Sequence, residues 1–192
     1  ILVDVIKDDF NSLNNYIEKI ESSSIRCYDH SLSSKNDKKD VNIDPNIFST
    51  ASLFGNASKI NWGHSPNGKV NKRDSYIPIR KADIINYPSL FPPKEANAGL
   101  GYADNEPIEV IWDDNTTMVC LLEGSQLINN IRYPNKISSY GSKRIIGDYI
   151  RKRMDLEPGT FVSELHFRRY GRDNIEISLI SNNVYYFNFG TN

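Results

Sequence analysis

Residues 107–122, Pro107-Ile108-Glu109-Val110-Ile111-Trp112-Asp113-Asp114-Asn115-Thr116-Thr117-Met118-Val119-Cys120-Leu121-Leu122, decide the fold class. Segments 107–113 and 116–122 flank Asp114-Asn115, a pair whose side chains suit tight turns, so the stretch predicts an antiparallel hairpin. A second hairpin is expected where Ile175, Ile177 and Leu179 alternate, Asn182-Asn183 turns the chain, and Val184-Tyr185-Tyr186-Phe187-Asn188-Phe189 returns. Between them, 126–140 reads as a further strand and loop. Upstream, 75–80 reads as a strand whose Pro78 favours an edge position. Most strands are short and antiparallel, which predicts a small barrel or sandwich decorated by two or three helices.

Two helices are expected late in the chain. Ile145, Ile146, Tyr149, Ile150 and Met154 fall on one broad side of a helical wheel. Arg144, Asp148, Arg151 and Lys152 fall on the other, where Arg144 with Asp148 and Asp148 with Lys152 stand four residues apart and can pair along a solvated back. The second helix runs over 164–170, with Ser163 as its cap and Gly171 as its stop. A shorter one at 82–86 ends at the Pro-rich 87–93.

At the other end, Ile6, Phe10, Leu13, Ile17 and Ile20 recur at helical steps, so 1–24 reads as an amphipathic helix or connector. Residues 25–54 are rich in Ser, Asn, Asp and Lys and read as a polar linker or mobile loop, interrupted by strand-like pieces at 25–28 and 49–54. The folded body is then expected over 55–192, opening at Ile60-Asn61-Trp62-Gly63 and a Pro66-Asn67-Gly68 turn.

With 39% apolar and 11% aromatic residues, the 192-residue chain can bury one main core. Apolar runs such as Val119-Cys120-Leu121-Leu122 are far shorter than the roughly 18 residues that span a bilayer. The start lacks both an initiating Met and the layout of a signal peptide, which reads as a fragment of a longer chain. Cys27 and Cys120 stand alone, so neither a disulfide framework nor a zinc site is encoded, no metal or cofactor is expected, and a reducing cytoplasm suits the composition.

A net charge of −1 argues at first against nucleic acid. The average conceals an asymmetry. Between Lys59 and Lys81, Lys59, Lys69, Lys72, Arg73, Arg80 and Lys81 face a single acid, Asp74; between Arg132 and Arg153, Arg132, Lys136, Lys143, Arg144, Arg151, Lys152 and Arg153 face only Asp148. The rest of the chain is strongly acidic, the pattern expected when positive charge is confined to one face. Two merely solvated basic stretches would give the same count.

Credible catalytic sets are scarce. His30, His64 and His166 belong to no spaced motif, and the His-x-Lys signature of phospholipase-D-type nucleases does not occur. Asp113, Asp114 and Glu123 lack the Asp/Glu-x-Lys that a metal nuclease would need, and Asp114-Asn115 suits a turn better than a metal site. Trp62, Trp112 and the Tyr-rich last strand fit a core better than a ligand platform.

Four segments carry a family resemblance when taken in order: Ile60-Asn61-Trp62-Gly63-His64; Arg73-Asp74-Ser75-Tyr76-Ile77-Pro78; Ile146-Gly147-Asp148-Tyr149-Ile150-Arg151-Lys152-Arg153; and Arg169-Tyr170-Gly171-Arg172-Asp173 through Val184-Tyr185-Tyr186-Phe187-Asn188-Phe189. Together, over about 55–190, they resemble the C-terminal domain of NgoFVII/NgoAVII-type restriction endonucleases. The resemblance implies a mainly β fold similar to the plant B3 domain, a seven-stranded pseudobarrel of mostly antiparallel strands with two flanking helices. It also implies a non-catalytic reader of double-stranded DNA. The parent would be a dimeric bacterial cytoplasmic enzyme whose phospholipase-D-type nuclease domain lies upstream, and some relatives work with a helicase-like ATPase subunit.

Domains of this kind grip the major groove with two arms, which by order fall here at about 64–74 and 126–142. Within them the expected base-reading residues are Arg73, Asn67, Gln126, Asn130 and Arg132, with His64 where relatives tend to carry Gln. Lys69, Lys72, Lys136, Ser139 and Lys143 are expected on the backbone. Two alternatives are a self-contained nuclease with an unrecognised acidic site, and a protein- or carbohydrate-binding β-domain using Trp62 and the terminal hairpin.

Overall fold

The computed structural model describes residues 48–54, 59–66, 71–94, 105 and 107–191, all within one compact unit, Val41–Asn192. The early helix expected over 1–24 and the strand-like piece at 25–28 lie outside the described residues.

Residues 107–123 form the expected hairpin, with β3 at Pro107–Trp112 and β4 at Thr117–Glu123. Ile108, Val110 and Trp112 alternate inward from β3, and Cys120 and Leu121 are buried on β4. The turn closes because Asn115 takes a left-handed φ of 64° and its N–H donates to the Trp112 carbonyl at 2.8 Å, while Asp114 accepts the Thr116 N–H at 3.0 Å. The terminal hairpin also forms, from β8 at Asn174–Ser181 and β9 at Val184–Asn188, with Asn183 at φ 60° in its turn. Ile175, Ile177, Tyr185 and Phe187 point into the core. Trp112, Tyr185 and Phe187 are therefore core residues. The Tyr185 hydroxyl, itself buried, donates to the Leu90 carbonyl at 2.8 Å.

The remaining strands are β1 at Phe48–Ser52, β2 at Ile77–Pro78, β5 at Gln126–Ile128, β6 at Ile131–Tyr133 and β7 at Lys136–Ser139. Seven of the nine form one sheet in the order β1-β8-β9-β3-β4-β7-β2, antiparallel throughout except where β9 runs parallel to β3. The two edges, β1 and β2, approach each other, so the sheet is a nearly closed pseudobarrel. Strands β5 and β6 stand apart as a two-stranded ribbon.

Strand β1 corrects the expected boundary at 55. The strand-like piece expected at 49–54 within the 25–54 linker is part of the barrel: Phe48–Ser52 pairs with Asn174–Ser178 of β8, and Ala51 and Leu53 are fully buried. Two small apolar insertions in a polar tract sufficed, because an edge strand buries only one face.

Among the described residues three helices accompany the barrel: α1 at Lys81–Asn86, α2 at Arg144–Arg153 and α3 at Glu164–Tyr170, with a 3-10 turn, η1, at Lys59–His64. Helix α3 is capped as expected: the Ser163 N–H donates to His166 Nδ1 at 3.1 Å, and Gly171 ends it at φ 93°. Helix α2 departs from its expected wheel. Ile145 is exposed, whereas Arg151 is fully buried beside Ile146 and Ile150. The Arg151 guanidinium donates to the carbonyls of Thr160 at 2.8 Å, Ile60 at 2.9 Å and Gly147 at 3.1 Å, and to Ser75 Oγ at 3.2 Å. The expected pairing along the helix back is absent too: Asp148 is held by Arg73, and Arg144 lies 3.9 Å from Asp74. Strand-leading residues 71–76 dock on α2 and outcompete its own i,i+4 partners. Gly147 permits that approach, since a Cβ there would sit 2.3 Å from the Arg73 carbonyl oxygen and 2.4 Å from Ser75 Oγ.

A second tie joins the first hairpin to α2. Asp113 accepts from Arg153 at 2.7 and 3.1 Å and from the Phe189 N–H at 2.9 Å. Partial burial pushes the Asp113 carboxyl up, but the Arg153 bonds and the Phe189 N–H outweigh it and hold the group below its ordinary value. A depressed carboxylate stabilises the fold above its unfolded pKa and loses that contribution as pH falls through the lower folded value.

Two outcomes are expected. Replacing Arg151 by Met should lower unfolding free energy in urea by roughly 3 kcal/mol or more, since several buried hydrogen bonds from a charged donor, each worth about 1.5–3 kcal/mol, are lost. The stability difference between wild type and Asp113→Asn should be full near neutral pH and shrink below about pH 4, as pH-dependent urea titrations would record.

Candidate nucleic-acid interface

The two basic stretches of the sequence meet in space. Turn η1 carries the partly buried Trp62, while the buried Asn61 side chain locks the turn to the later loop: its Nδ2 donates to the Val162 carbonyl and its Oδ1 accepts the Val162 N–H, both at 2.8 Å. Gly63 lets the chain cross residues 71–72, where a Cβ would strike the Asn71 carbonyl at 1.9 Å. Lys136 on β7 and Lys143 just before α2 reach over the same Trp62 ring, their ammonium groups 5.3 and 5.0 Å from its centroid. Tyr76 stands edge-on to Trp62 at 5.8 Å. Register places Lys136 directly across from Glu123 at the end of β4, and the Glu123 carboxylate lies 3.6 Å from Lys136 and 3.1 Å from Lys143.

That cluster is electrostatically tuned. Burial pushes the Glu123 carboxyl up, yet the Ser138 hydroxyl and the ammonium groups of Lys143 and Lys136 pull it further down, so it stays ionised below its ordinary value. Lys136 is held below its ordinary value by burial first and by Lys143 second, with Glu123 opposing both.

The other expected arm residues divide by what already occupies them. His64 is half-buried, its Nε2 2.9 Å from the Gly159 carbonyl oxygen and its ring edge-on to Phe161. Asn67 and Lys69 lie outside the described residues. Lys72 is exposed. Arg73 forks onto Asp148 at 2.5 and 3.0 Å, and that carboxylate raises its already high pKa. Ser139 is fully buried: its hydroxyl donates to the Ser142 carbonyl at 2.6 Å and accepts the Ile146 N–H at 3.2 Å, capping the approach to α2. A phosphate contact expected of it finds no exposed hydroxyl.

Ribbon β5–β6 carries the rest. Gln126 sits at its base, where Nε2 donates to the Ile79 carbonyl at 3.1 Å and to the Pro134 carbonyl at 2.8 Å, fixing the ribbon to the barrel. At the tip Asn129 and Asn130 take left-handed φ values of 50° and 63°, as a two-residue hairpin turn with a primed geometry requires. Asn130 and Arg132 are exposed, and Leu127, the cross-strand partner of Arg132, is 58% exposed. The ribbon thus presents a guanidinium, a carboxamide and an aliphatic chain together.

Local pattern favoured a core position for Trp62, with a ligand surface as the alternative, and missed Glu123 as a counter-charge. The fixed separation of β4 and β7 pairs residues 13 apart, for which no local spacing rule exists. Among the described residues no group of three or more His, Cys, Asp or Glu could hold a metal ion, and no helix is long and apolar enough to cross a membrane.

The family model described as NgoFVII C-terminal B3-like DNA-binding domain matches the chain over residues 35–181. No curated protein matches it.

The Gln126 anchor generates a prediction separable from binding. In Gln126→Ala, amide hydrogen exchange over 126–133 should quicken while the barrel loses only about 0.5–1.5 kcal/mol per bond removed, as mass-spectrometric exchange and urea unfolding together would record.

Proposed function

Because the chain belongs to the family of NgoFVII C-terminal B3-like DNA-binding domains, we propose that it reads a short specific duplex site for a restriction endonuclease, gripping the major groove with two arms. In this reading the chain itself does not cut. A separate phospholipase-D-type nuclease domain does so, in a dimeric cytoplasmic bacterial enzyme that can work with a helicase-like ATPase subunit.

The observation that carries the reading is the ribbon β5–β6, which stands outside the barrel and presents Asn130 and Arg132 beside Leu127. A major groove about 12 Å wide admits a two-stranded ribbon, guanidinium and carboxamide groups pair with guanine and adenine edges, and an aliphatic chain suits a thymine methyl. Gln126 then serves mainly as the ribbon's anchor. On the first arm, Lys72 faces phosphate, with Asn67, Lys69 and His64 in the same segment. Arg73 reaches a base only by exchanging Asp148 for it, so it contributes less than its free fork would. Lys136 and Lys143 meet the backbone beside Trp62.

Selection of bound duplexes from a random pool supplies the probe. Arg132→Ala should weaken binding to the selected duplex by about 1–3 kcal/mol and leave a scrambled duplex nearly unaffected. Lys72→Ala should weaken both alike and reduce the salt slope by about one unit. Lys152→Ala, on the exposed side of α2, is the control. Recovery of no preferred sequence, or loss of specificity in Lys152→Ala with the arm variants silent, would reject the arms; plasmid cleavage by this chain with Mg²⁺ and not with EDTA would reject the non-catalytic reading.

A further inference from the structure

Two lysines over one tryptophan make a strong anion seat, and this one already contains an anion. Lys136 and Lys143 keep 25% and 26% of their side chains exposed, enough for a ligand to reach the ammonium groups, whereas Glu123 beneath them is only 5% exposed. The carboxylate contacts both lysines from the barrel side, and the Trp62 face fixes the ammonium groups from another. A ligand would meet the partly exposed lysines before the buried carboxylate.

We propose that Trp62, Lys136 and Lys143 form a seat for one backbone phosphate, and that Glu123 is a built-in counter-charge that holds the two ammonium groups in place while limiting how tightly that phosphate is bound. The inference rests on the DNA-reading function proposed above and adds an affinity-setting residue to it. With Glu123 ionised the seat carries a net single positive charge; without it, a net two. A phosphate arriving from outside gains the attraction of both lysines but also meets the repulsion of a carboxylate too buried to be screened well by salt. Glu123 therefore lowers affinity for every duplex, cognate or not, because the phosphate term is independent of sequence. It also spares the lysines the rotamer entropy of finding the phosphate, since the ring and carboxylate already fix them. The depressed Lys136 and Glu123 values agree with three charges sharing one small site.

The test measures binding of the full chain to the selected duplex and to a scrambled duplex across a series of KCl concentrations. Glu123→Gln keeps the shape and removes the charge. It should tighten binding to both duplexes by roughly threefold to tenfold at moderate salt and steepen the salt slope by about one unit, leaving their ratio unchanged. Lys143→Gln should do the opposite, and the double variant should return near wild type. Glu123→Asp retains the charge but withdraws it from the ammonium groups; it should move in the direction of Glu123→Gln by a smaller factor and serves if the Gln variant unfolds. Unchanged or weaker binding by folded Glu123 variants, with Lys143→Gln still weakening binding, overturns the inference and leaves the DNA-reading function standing. If Lys136→Gln and Lys143→Gln are both silent while wild type binds, the seat lies off the DNA face and the inference fails. Absence of any duplex binding by wild type is the separate result that removes the reading beneath it.

Discussion

The guanidinium of Arg151 is the point on which the helical side of the molecule depends. It is enclosed without a carboxylate against it and is satisfied by neutral oxygens from four separate places: Ile60 in η1, Ser75 ahead of β2, Gly147 within α2 and Thr160 in the loop beyond. Burial pulls its pKa down and the charge of Asp148 opposes this. That one side chain, together with the Ser75 hydroxyl on the Ile60 carbonyl and the Asn61 bonds to Val162, ties together four segments that share no regular hydrogen-bond ladder. Trp62 and Lys143 take their places from that arrangement, because η1 and the start of α2 are two of the segments joined.

The parts legible in the sequence are those whose signal is local. The hairpins at 107–123 and 174–188 announce themselves through apolar alternation and Asn-containing turns, and the α3 ends through Ser163 and Gly171. Of the basic residues, Lys136 and Lys143 come together over the Trp62 ring. What local patterns miss is set by long-range geometry. Arg151 looks solvated on a helical wheel, but the docking of 71–76 against Gly147 turns its face inward. Ser139 has the chemistry of a phosphate ligand and spends it on the turn into α2. Strand β1 shows locally as a strand-like piece at 49–54, but that it belongs to the barrel depends on its pairing with β8, far along the chain.

Charge is organised along the same lines. Arg73 lies against Asp148, Arg153 against Asp113, and Lys136 and Lys143 against Glu123. The near-neutral total thus reflects internal neutralisation at fixed geometry as well as acids elsewhere in the chain. Exposed Arg132 and Lys72 stand outside these pairs.

The insertion of β9 between β8 and β3 bears on the order in which this molecule can be assembled. Strands β3, β4, β7 and β2 form one contiguous run, but β1, which precedes them in the chain, has no hydrogen-bonded partner in that run and pairs only with β8. Without residues 174–188 that run would be an open four-stranded sheet whose β3 edge offers unsatisfied backbone groups to any passing strand. Closure joins the earliest strand to the latest hairpin across most of the described chain, a slow search by loop-closure entropy. Until residues 174–188 arrive, the barrel is a template for pairing with other chains, which makes rapid capture of that last hairpin the step protecting the molecule from aggregation during synthesis.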